Sequence, residues 1–546
     1  MKFDYIIVGA GSAGCVLANR LSADPSNRVC LLEAGRSDDS PLIRTPMGLV
    51  GLLATRKYNW YFDTEPQAEL EGRRLYWPRG KTIGGSSSIN AMVYMRGHQA
   101  DYDAWAAAGN AGWAYKDLLP IFMEHENNER GVSTYHRTNG PLNVADVRSP
   151  NPLSSHFIDA AVQCGIPRNM DFNGAQQEGA GPHQVTQKNG ERWSSARAFL
   201  HPVMDRPNLT VLTGAHVTRI LFSGKQAVGV EIERKGERQR IEAEREIVLS
   251  GGAINSPQLL QLSGVGPKQA LAQHGIAQVA DLPGVGQNLQ DHLDVTVMIR
   301  DRSKQAVGVA PGFLPKALAG LWQYWRRREG FLSSNVAETG GFARLSPQSA
   351  LPEVQFHFLP TYLRNHGRDL APGYGATLHM CQLRPQSRGF IGLKSADPLA
   401  APMIQPNYLS HADDWDEMLR GLKLARRIFE AKAFHDINGG EVAPGAGVRS
   451  DQELRDYIRR SAETIYHPVG SCKMGNDEMA VVDAQLRVHG LSGLRVADAS
   501  IMPTVIGGNT NAPCMVIGEK CARVILTSPK PQPSHAQASR PQPMAA

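Results

Sequence analysis

Cysteine is scarce in this chain: seven of 546 residues, at 15, 30, 164, 381, 472, 514 and 521. The number is odd and no two stand in C-x-x-C spacing, so neither a disulfide framework nor a cysteine zinc site is indicated. No metal site is expected. Long apolar runs are missing as well, since none reaches the ~18–20 residues of a membrane span. The apolar start at Tyr5–Val8 falls short of the roughly 7–15 residues of a secretory core. Asp4 precedes it and glycines interrupt it after Val8. The expectation is a cytoplasmic protein. Charge of either sign is in little excess: 58 Lys and Arg stand against 52 Asp and Glu, a net charge of +6. Two of those charges, Lys530 and Arg540, lie in an acid-free tail. Such a weak field argues against nucleic acid as the main partner.

The composition that remains is that of an ordinary soluble globular protein, 42% apolar and 20% charged. The length favours two to four domains. Glycine is in excess, 54 residues or about 10% against an average near 7%. That excess suggests positive-φ turns and close approach of backbone to a ligand.

Phe3–Val8 reads as a buried parallel strand, rich in β-branched and aromatic residues. Gly9-Ala10-Gly11-Ser12-Ala13-Gly14 follows, and a helix from Ala13 to Leu21 would place Val16, Leu17 and Leu21 on one face. Arg28–Leu32 reads as a second strand that ends at Glu33. Strand, G-x-G-x-x-G, helix, strand and acid together form the dinucleotide fingerprint. Gly9 permits the tight turn, Gly11 lets backbone approach a pyrophosphate, and Gly14 lets helix and strand pack closely. The helix N-terminus presents free N–H groups to the phosphates. Glu33 suits a ribose diol and would repel a 2′-phosphate, which disfavours NADP. These features indicate an adenine dinucleotide and leave FAD and NAD both open. No second complete fingerprint appears, so a separate NAD site is unsupported.

A second glycine cluster, Gly84-Gly85-Ser86-Ser87-Ser88-Ile89-Asn90, offers small residues and many donors. By composition alone it is either a cradle for a flat heterocycle or an ordinary solvent turn. Here the sequence resembles the glucose–methanol–choline (GMC) oxidoreductase family. Gly80–Asn90 is similar to the family's first signature and Gly252–Gly266 to its second. Gly286–His292, Tyr466–Gly470 and Gly508–Pro513 resemble further family strings. The resemblance covers about residues 3–524. It implies an α/β architecture: a discontinuous Rossmann-like FAD/NAD(P)-binding domain (1–155, 206–300 and 462–524) beside an α+β substrate-binding domain on an antiparallel sheet (156–205 and 301–461). Leu209–Leu212 and Glu246–Ser250 would add strands to the first sheet. Glu353–Phe358 would be a half-buried antiparallel strand of the second. Residues 525–546, with prolines at 529, 531, 533, 541 and 543, read as a disordered tail.

The resemblance also implies FAD, with contacts at Gly9, Gly11, Ser12, Ala13, Gly14, Glu33, Ala34, Gly84, Gly85, Ser86, Asn90, Ala91, Met92, Val93, Val217, Asp498, Ala499 and Asn509. Some relatives attach flavin covalently through a histidine in the first glycine–serine loop. The residue here is Ile89, which has no nucleophile, so the flavin is expected to be non-covalent.

Oxidising an alcohol by hydride transfer needs a base for the hydroxyl proton, and histidine has a suitable pKa without tuning. Taken alone, one histidine among seventeen is more often structural. Within the family string, His467 is the implied base and Asn511 the implied second catalytic residue, donating to the developing alkoxide. Asp291 and His292 match the family without an assignable role. Glu338 sits where choline-oxidising relatives face a quaternary ammonium, although relatives acting on uncharged alcohols carry the same acid. Residues 313–328 place Phe313, Leu314, Leu318, Leu321, Trp322 and Trp325 on one side of a helix ending in three arginines. The expected reading is a lid over the substrate pocket, and the alternative is a peripheral contact with an anionic membrane. The membrane reading would make a quinone a natural electron acceptor.

The expected activity is FAD-dependent oxidation of a primary alcohol to the aldehyde, with electrons passed to a quinone or other acceptor. Choline dehydrogenase, an oxidase using O2, and a cyanohydrin lyase with an idle flavin are the competing readings.

Overall fold

The computed structural model describes residues 1–369 and 371–527. Two seven-stranded sheets organise it. In the first, the strands run Leu209–Thr213, Val29–Glu33, Lys2–Val8, Glu237–Leu249, Gln226–Arg234 and His216–Ser223, with Leu494–Val496 paired to the end of Glu237–Leu249. Lys2–Val8 is parallel to both neighbours, with Ile6 opposite Cys30 and Ile247. Its Ile6 and Ile7 are wholly buried, each contributing about 1.5–3 kcal/mol of burial. The helix Ser12–Leu21 follows directly and buries Val16, Leu17 and Leu21. Gly14 is obligatory there, because a Cβ would stand 1.9 Å from the Gly9 carbonyl oxygen. The helix Asn511–Thr527 packs alongside it. That helix includes residues 525–527 and buries Ile525; the disorder expected from 525 is corrected for these three. The remainder of that expectation, 528–546, lies outside the described residues.

The second sheet runs Asn438–Ala443, Leu293–Asp301, Gly375–Gln382, Val354–Leu359, Thr339–Ala343 and Gly179–Pro182, with Glu463–Thr464 paired to the start of Leu293–Asp301, antiparallel throughout. The break expected between 300 and 301 thus falls at the end of a second-sheet strand. A single apolar run does not reveal which sheet it will join. Val354–Leu359 is buried along its whole length, not half-buried as its alternation suggested. Phe358 stacks on Phe157 of the helix Leu153–Gln163, with ring centroids 5.2 Å apart, and lies by Phe429 of the helix Ala412–Glu430. The opposite face, with Gln355, His357 and Leu359, turns toward a cavity between the two sheets.

Residues 314–327 form the expected helix. It is mounted by Tyr324, whose hydroxyl donates to the Gly190 carbonyl at 3.2 Å, and by Phe313 against Phe331. The expected lid packing is not what the structure shows: Leu314, Leu318, Leu321, Trp322 and Trp325 are each 55–70% exposed. None of the helix's residues lines the cavity.

Candidate active site

One cavity of about 2200 Å3 of inter-atomic space, partly open to solvent, lies between the sheets. Its lining runs from the first glycine turn of the one sheet to the strand Val354–Leu359 of the other, as a dinucleotide with a substrate beside it requires. One end is formed by Gly9, Gly11, Ser12, Ala13, Glu33 and Ala34. No side chain caps the helix at Ser12, so its first N–H groups are left for a ligand, at the positive end of the helix dipole. Glu33 accepts from the Ala10 and Gly35 N–H groups at 3.0 and 2.7 Å. Burial pushes its pKa up to about 7, opposed by those two bonds.

The second glycine cluster folds against the first. Gly85 is left-handed (φ 53°), and a Cβ there would lie 2.8 Å from Gly11 Cα. At Gly9 and Gly85 the cradle has no room for a Cβ, and it offers backbone donors. Ser86, Asn90, Ala91, Met92, Val93, Val217, Asp498 and Ala499 line the cavity further along. Asp498 accepts from Gly252 N–H at 2.9 Å and Ser256 Oγ at 2.6 Å. An uncapped helix end, two touching glycine turns and an acid at the strand end fit FAD. Ile89 also lines the cavity and offers nothing to a covalent bond. Gly14 and Gly84 were expected to touch the cofactor; neither lines the cavity. Gly14 closes helix against strand, and Gly84 makes the turn, with its N–H donating to the Ala10 carbonyl at 2.7 Å.

At the opposite end stands His467, held from both sides. Its backbone N–H donates to Asp291 Oδ1 at 2.8 Å, and Asp291 Oδ2 accepts from the Thr464 and Tyr408 hydroxyls. Tyr466 is left-handed (φ 75°), and its carbonyl accepts from Arg79 at 2.7 Å. The ring is fixed by a chain of hydrogen bonds whose direction can be read from its end. The Leu383 carbonyl can only accept, so His292 Nε2, 3.1 Å away, carries a proton. In the neutral ring His292 Nδ1 is then an acceptor. It faces His467 Nδ1 at 2.9 Å, so His467 bears its proton on Nδ1 and keeps a lone pair on Nε2. Asn509 Nδ2 lies 3.1 Å from that Nε2, and Gln355 Nε2 donates to Asn509 Oδ1 at 3.0 Å.

Both imidazoles are neutral. Burial drives His467 well below the ordinary histidine value, helped by His292, His357 and Arg79. Burial also brings His292 down to about 3, against its bonds to backbone carbonyls. A buried neutral histidine with its Nε2 lone pair toward a cavity is equipped to take a proton.

Two expectations change here. Asn511 was implied as the second catalytic residue, yet its Oδ1 accepts from Ser12 Oγ at 2.7 Å, at the dinucleotide helix. The amide beside His467 is Asn509. One residue separates them, and the helix Asn511–Thr527 begins there, so one amide meets His467 and the other meets Ser12. Glu338 was expected in the substrate pocket but does not line the cavity. Only 2% exposed, it accepts from Ser334 Oγ, Ser154 Oγ and Asn151 N–H at 2.6–2.7 Å, tying the segment before Thr339–Ala343 to the helix at Leu153. Its pKa is raised by burial.

His292, His357 and Gln355 had no role in the sequence reading. His357 is buried, lines the cavity and has no hydrogen-bond partner on either ring nitrogen among the described residues. The available signal was a histidine inside an apolar strand, Gln355-Phe356-His357-Phe358, where a buried polar ring needs a reason.

Models of the family described as GMC oxidoreductase match residues 3–294 and 385–518. An "Alcohol dehydrogenase [acceptor]" of Pseudomonas putida is 56% identical over 527 residues, covering 96% of each chain. The mitochondrial choline dehydrogenase of Mus musculus is 45% identical, covering 99% of this chain and 92% of its own. Among solved structures, pyridoxine 4-oxidase from Mesorbium loti is 34% identical with a TM-score of 0.85, covering 95% of this chain and 98% of that one. The two-sheet architecture, the dinucleotide cradle and the histidine at the far end of the cavity agree with these matches: the chain is an FAD-dependent oxidoreductase of the GMC family.

Proposed function

We propose that this protein oxidises an uncharged primary alcohol to its aldehyde and passes the electrons to a quinone. The observation that carries this reading is the oriented lone pair of His467 Nε2, buried beside Asn509. FAD, when bound, supplies the acceptor for the hydride that leaves the alcohol carbon. His467 takes the hydroxyl proton at Nε2. Asn509 Nδ2–H, released from Nε2 by the incoming hydroxyl, donates to the oxygen as negative charge develops there. Asp291 and His292 hold the imidazole in place and in the right tautomer. His467 itself is buried, which limits the water that reaches its ring.

The substrate class follows from the wall. Leu49, Leu53, Val93, Val336, Leu359 and Leu363 line the cavity. Among the described residues its only lining carboxylates are Glu33 and Asp498, both in the cofactor's cradle. A quaternary ammonium would find no carboxylate on the wall near His467, since Asp291 does not line the cavity and is taken up by the His467 N–H and the Thr464 and Tyr408 hydroxyls, whereas an aliphatic chain would find apolar contacts. The name of the Pseudomonas putida relative, an alcohol dehydrogenase with an unspecified acceptor, supports a similar division of labour here.

Anaerobic mixing with primary aliphatic alcohols tests the reading. We expect the yellow flavin to bleach with these and not with choline, and to regain its colour faster with a soluble quinone than with O2. Bleaching by choline alone would favour the choline dehydrogenase reading. Rapid recovery in O2 would mark an oxidase.

A further inference from the structure

The helix Leu314–Arg327 has three faces. Ala317, Gly320 and Tyr324 sit on the protein: Gly320 is buried, and a Cβ there would stand 2.2 Å from the Phe331 ring. The second face holds Leu314, Leu318, Leu321, Trp322 and Trp325, spaced i, i+4, i+7, i+8 and i+11 so that they form one stripe. All five are more than half exposed. The third face carries Lys316, Arg326 and Arg327. No Asp or Glu occurs from 314 to 328, and neither Arg326 nor Arg327 meets a carboxylate among the described residues.

Single exposed apolar residues need no explanation, but five large ones in a stripe, two of them tryptophan, mark a surface made to be covered. The described chain does not cover it. Residues 528–546 lack the means: they hold one methionine and no Leu, Ile, Val, Phe, Tyr or Trp. The same helix of a second copy would bring Lys316, Arg326 and Arg327 against their own kind, with no Asp or Glu from 314 to 328 to meet them. Among the described residues no helix is long and apolar enough to cross a membrane, so any lipid contact must be superficial.

We infer that Leu314–Arg327 docks this protein on an anionic lipid bilayer, with the Leu–Trp stripe in the headgroup–acyl boundary and Arg326 and Arg327 on the phosphates. Tryptophan favours this interface because its ring is apolar and its N–H polar. The negative potential of a cytoplasmic leaflet attracts the basic face. The helix lies against Phe331–Ser333, which pack on Pro46–Gly48. The next residues, Leu49 and Leu53, line the cavity. Docking would therefore hold an apolar wall of the active site close to the lipid that dissolves aliphatic alcohols and quinones.

Vesicle flotation of the full-length, FAD-loaded protein tests this without alcohol or acceptor, so its outcome is independent of the proposed reaction. With phosphatidylglycerol–phosphatidylcholine vesicles at low salt, the protein should float, and raising the salt should weaken binding. Leu318→Asp with Trp325→Asp should lower partitioning at least about tenfold, because the stripe no longer enters the boundary. Arg326→Ser and Arg327→Ser should each cost roughly fivefold, and only on anionic vesicles. Both sets should reduce their flavin with alcohol as the parent does, showing the fold intact. No flotation at low salt, or flotation unchanged in the Asp variants, overturns the inference. So does a concentration-dependent dimer that the Asp variants dissolve, which would assign the stripe to a second copy.

Discussion

The two ends of the cavity are built by opposite means. At the cofactor end the working groups are backbone: N–H donors at an uncapped helix, and glycine turns so close that Gly85 rests on Gly11. At the substrate end they are chiefly side chains, from four separate segments, namely Asp291 and His292, Gln355 and His357, His467, and Asn509, with the Leu383 carbonyl anchoring the chain of bonds. The first design fails when a side chain is added, the second when one is removed.

The largest effect expected is at the cofactor end. Gly85→Ala forces a methyl group onto Gly11, and the protein should purify without yellow colour, as flavin absorbance per protein will tell. If a fully yellow Gly85→Ala protein is obtained, the close contact of the two turns is not what holds the cofactor. His467→Ala should do the reverse: keep its flavin, and slow anaerobic reduction by alcohol roughly 10²–10⁴-fold. Rates within threefold of the parent would remove His467 from the chemistry.

Asn509→Ala should slow reduction by roughly 10²-fold, the scale of a lost donor to a developing oxyanion. Asn511→Ala should leave that rate within a few fold and weaken flavin retention, since it loses the bond from Ser12. An inverted result would restore Asn511 as the substrate-side amide. His292→Phe frees the tautomer of His467. Reduction should slow by about an order of magnitude, with flavin content unchanged. In the parent the base is already neutral, because burial lowers its pKa. Reduction should therefore hold its rate as pH falls from 8 through 6.5, and a loss centred at 6.5 or above would contradict that. Glu338→Gln should have the smallest kinetic effect: KM unchanged for short and long alcohols, with a stability loss of about 1–2 kcal/mol from its weakened bonds seen in thermal unfolding. A raised KM would return Glu338 to the substrate pocket.

The same contrast governs what could be read in the chain. Gly9, Gly11, Gly14 and Glu33 announce a dinucleotide because their spacing along the sequence is their geometry in space: two adjacent strands with the turn and helix between them carry them all. The base at His467 was legible only through the family string around it. Asn509 and Asn511, two residues apart in one string, could not be told apart, because a helix begins between them and only the folded chain shows which way each amide points. Glu338 misled because a buried carboxylate satisfied by two serines and an N–H looks, in sequence, the same as one facing a substrate. The amphipathic stripe at 314–325 was legible as a pattern, but whether it faced inward or outward depended on which narrow side the protein claimed.

By itself the local spacing of the sequence determined a dinucleotide site, because it dictates the strand, turn and helix that build one; FAD and the two-sheet plan were legible only through the resemblance to the family. Only tertiary structure decided the proton-taking nitrogen, the amide beside it and the side of the helix left uncovered, because each is a relation between residues tens to hundreds of positions apart.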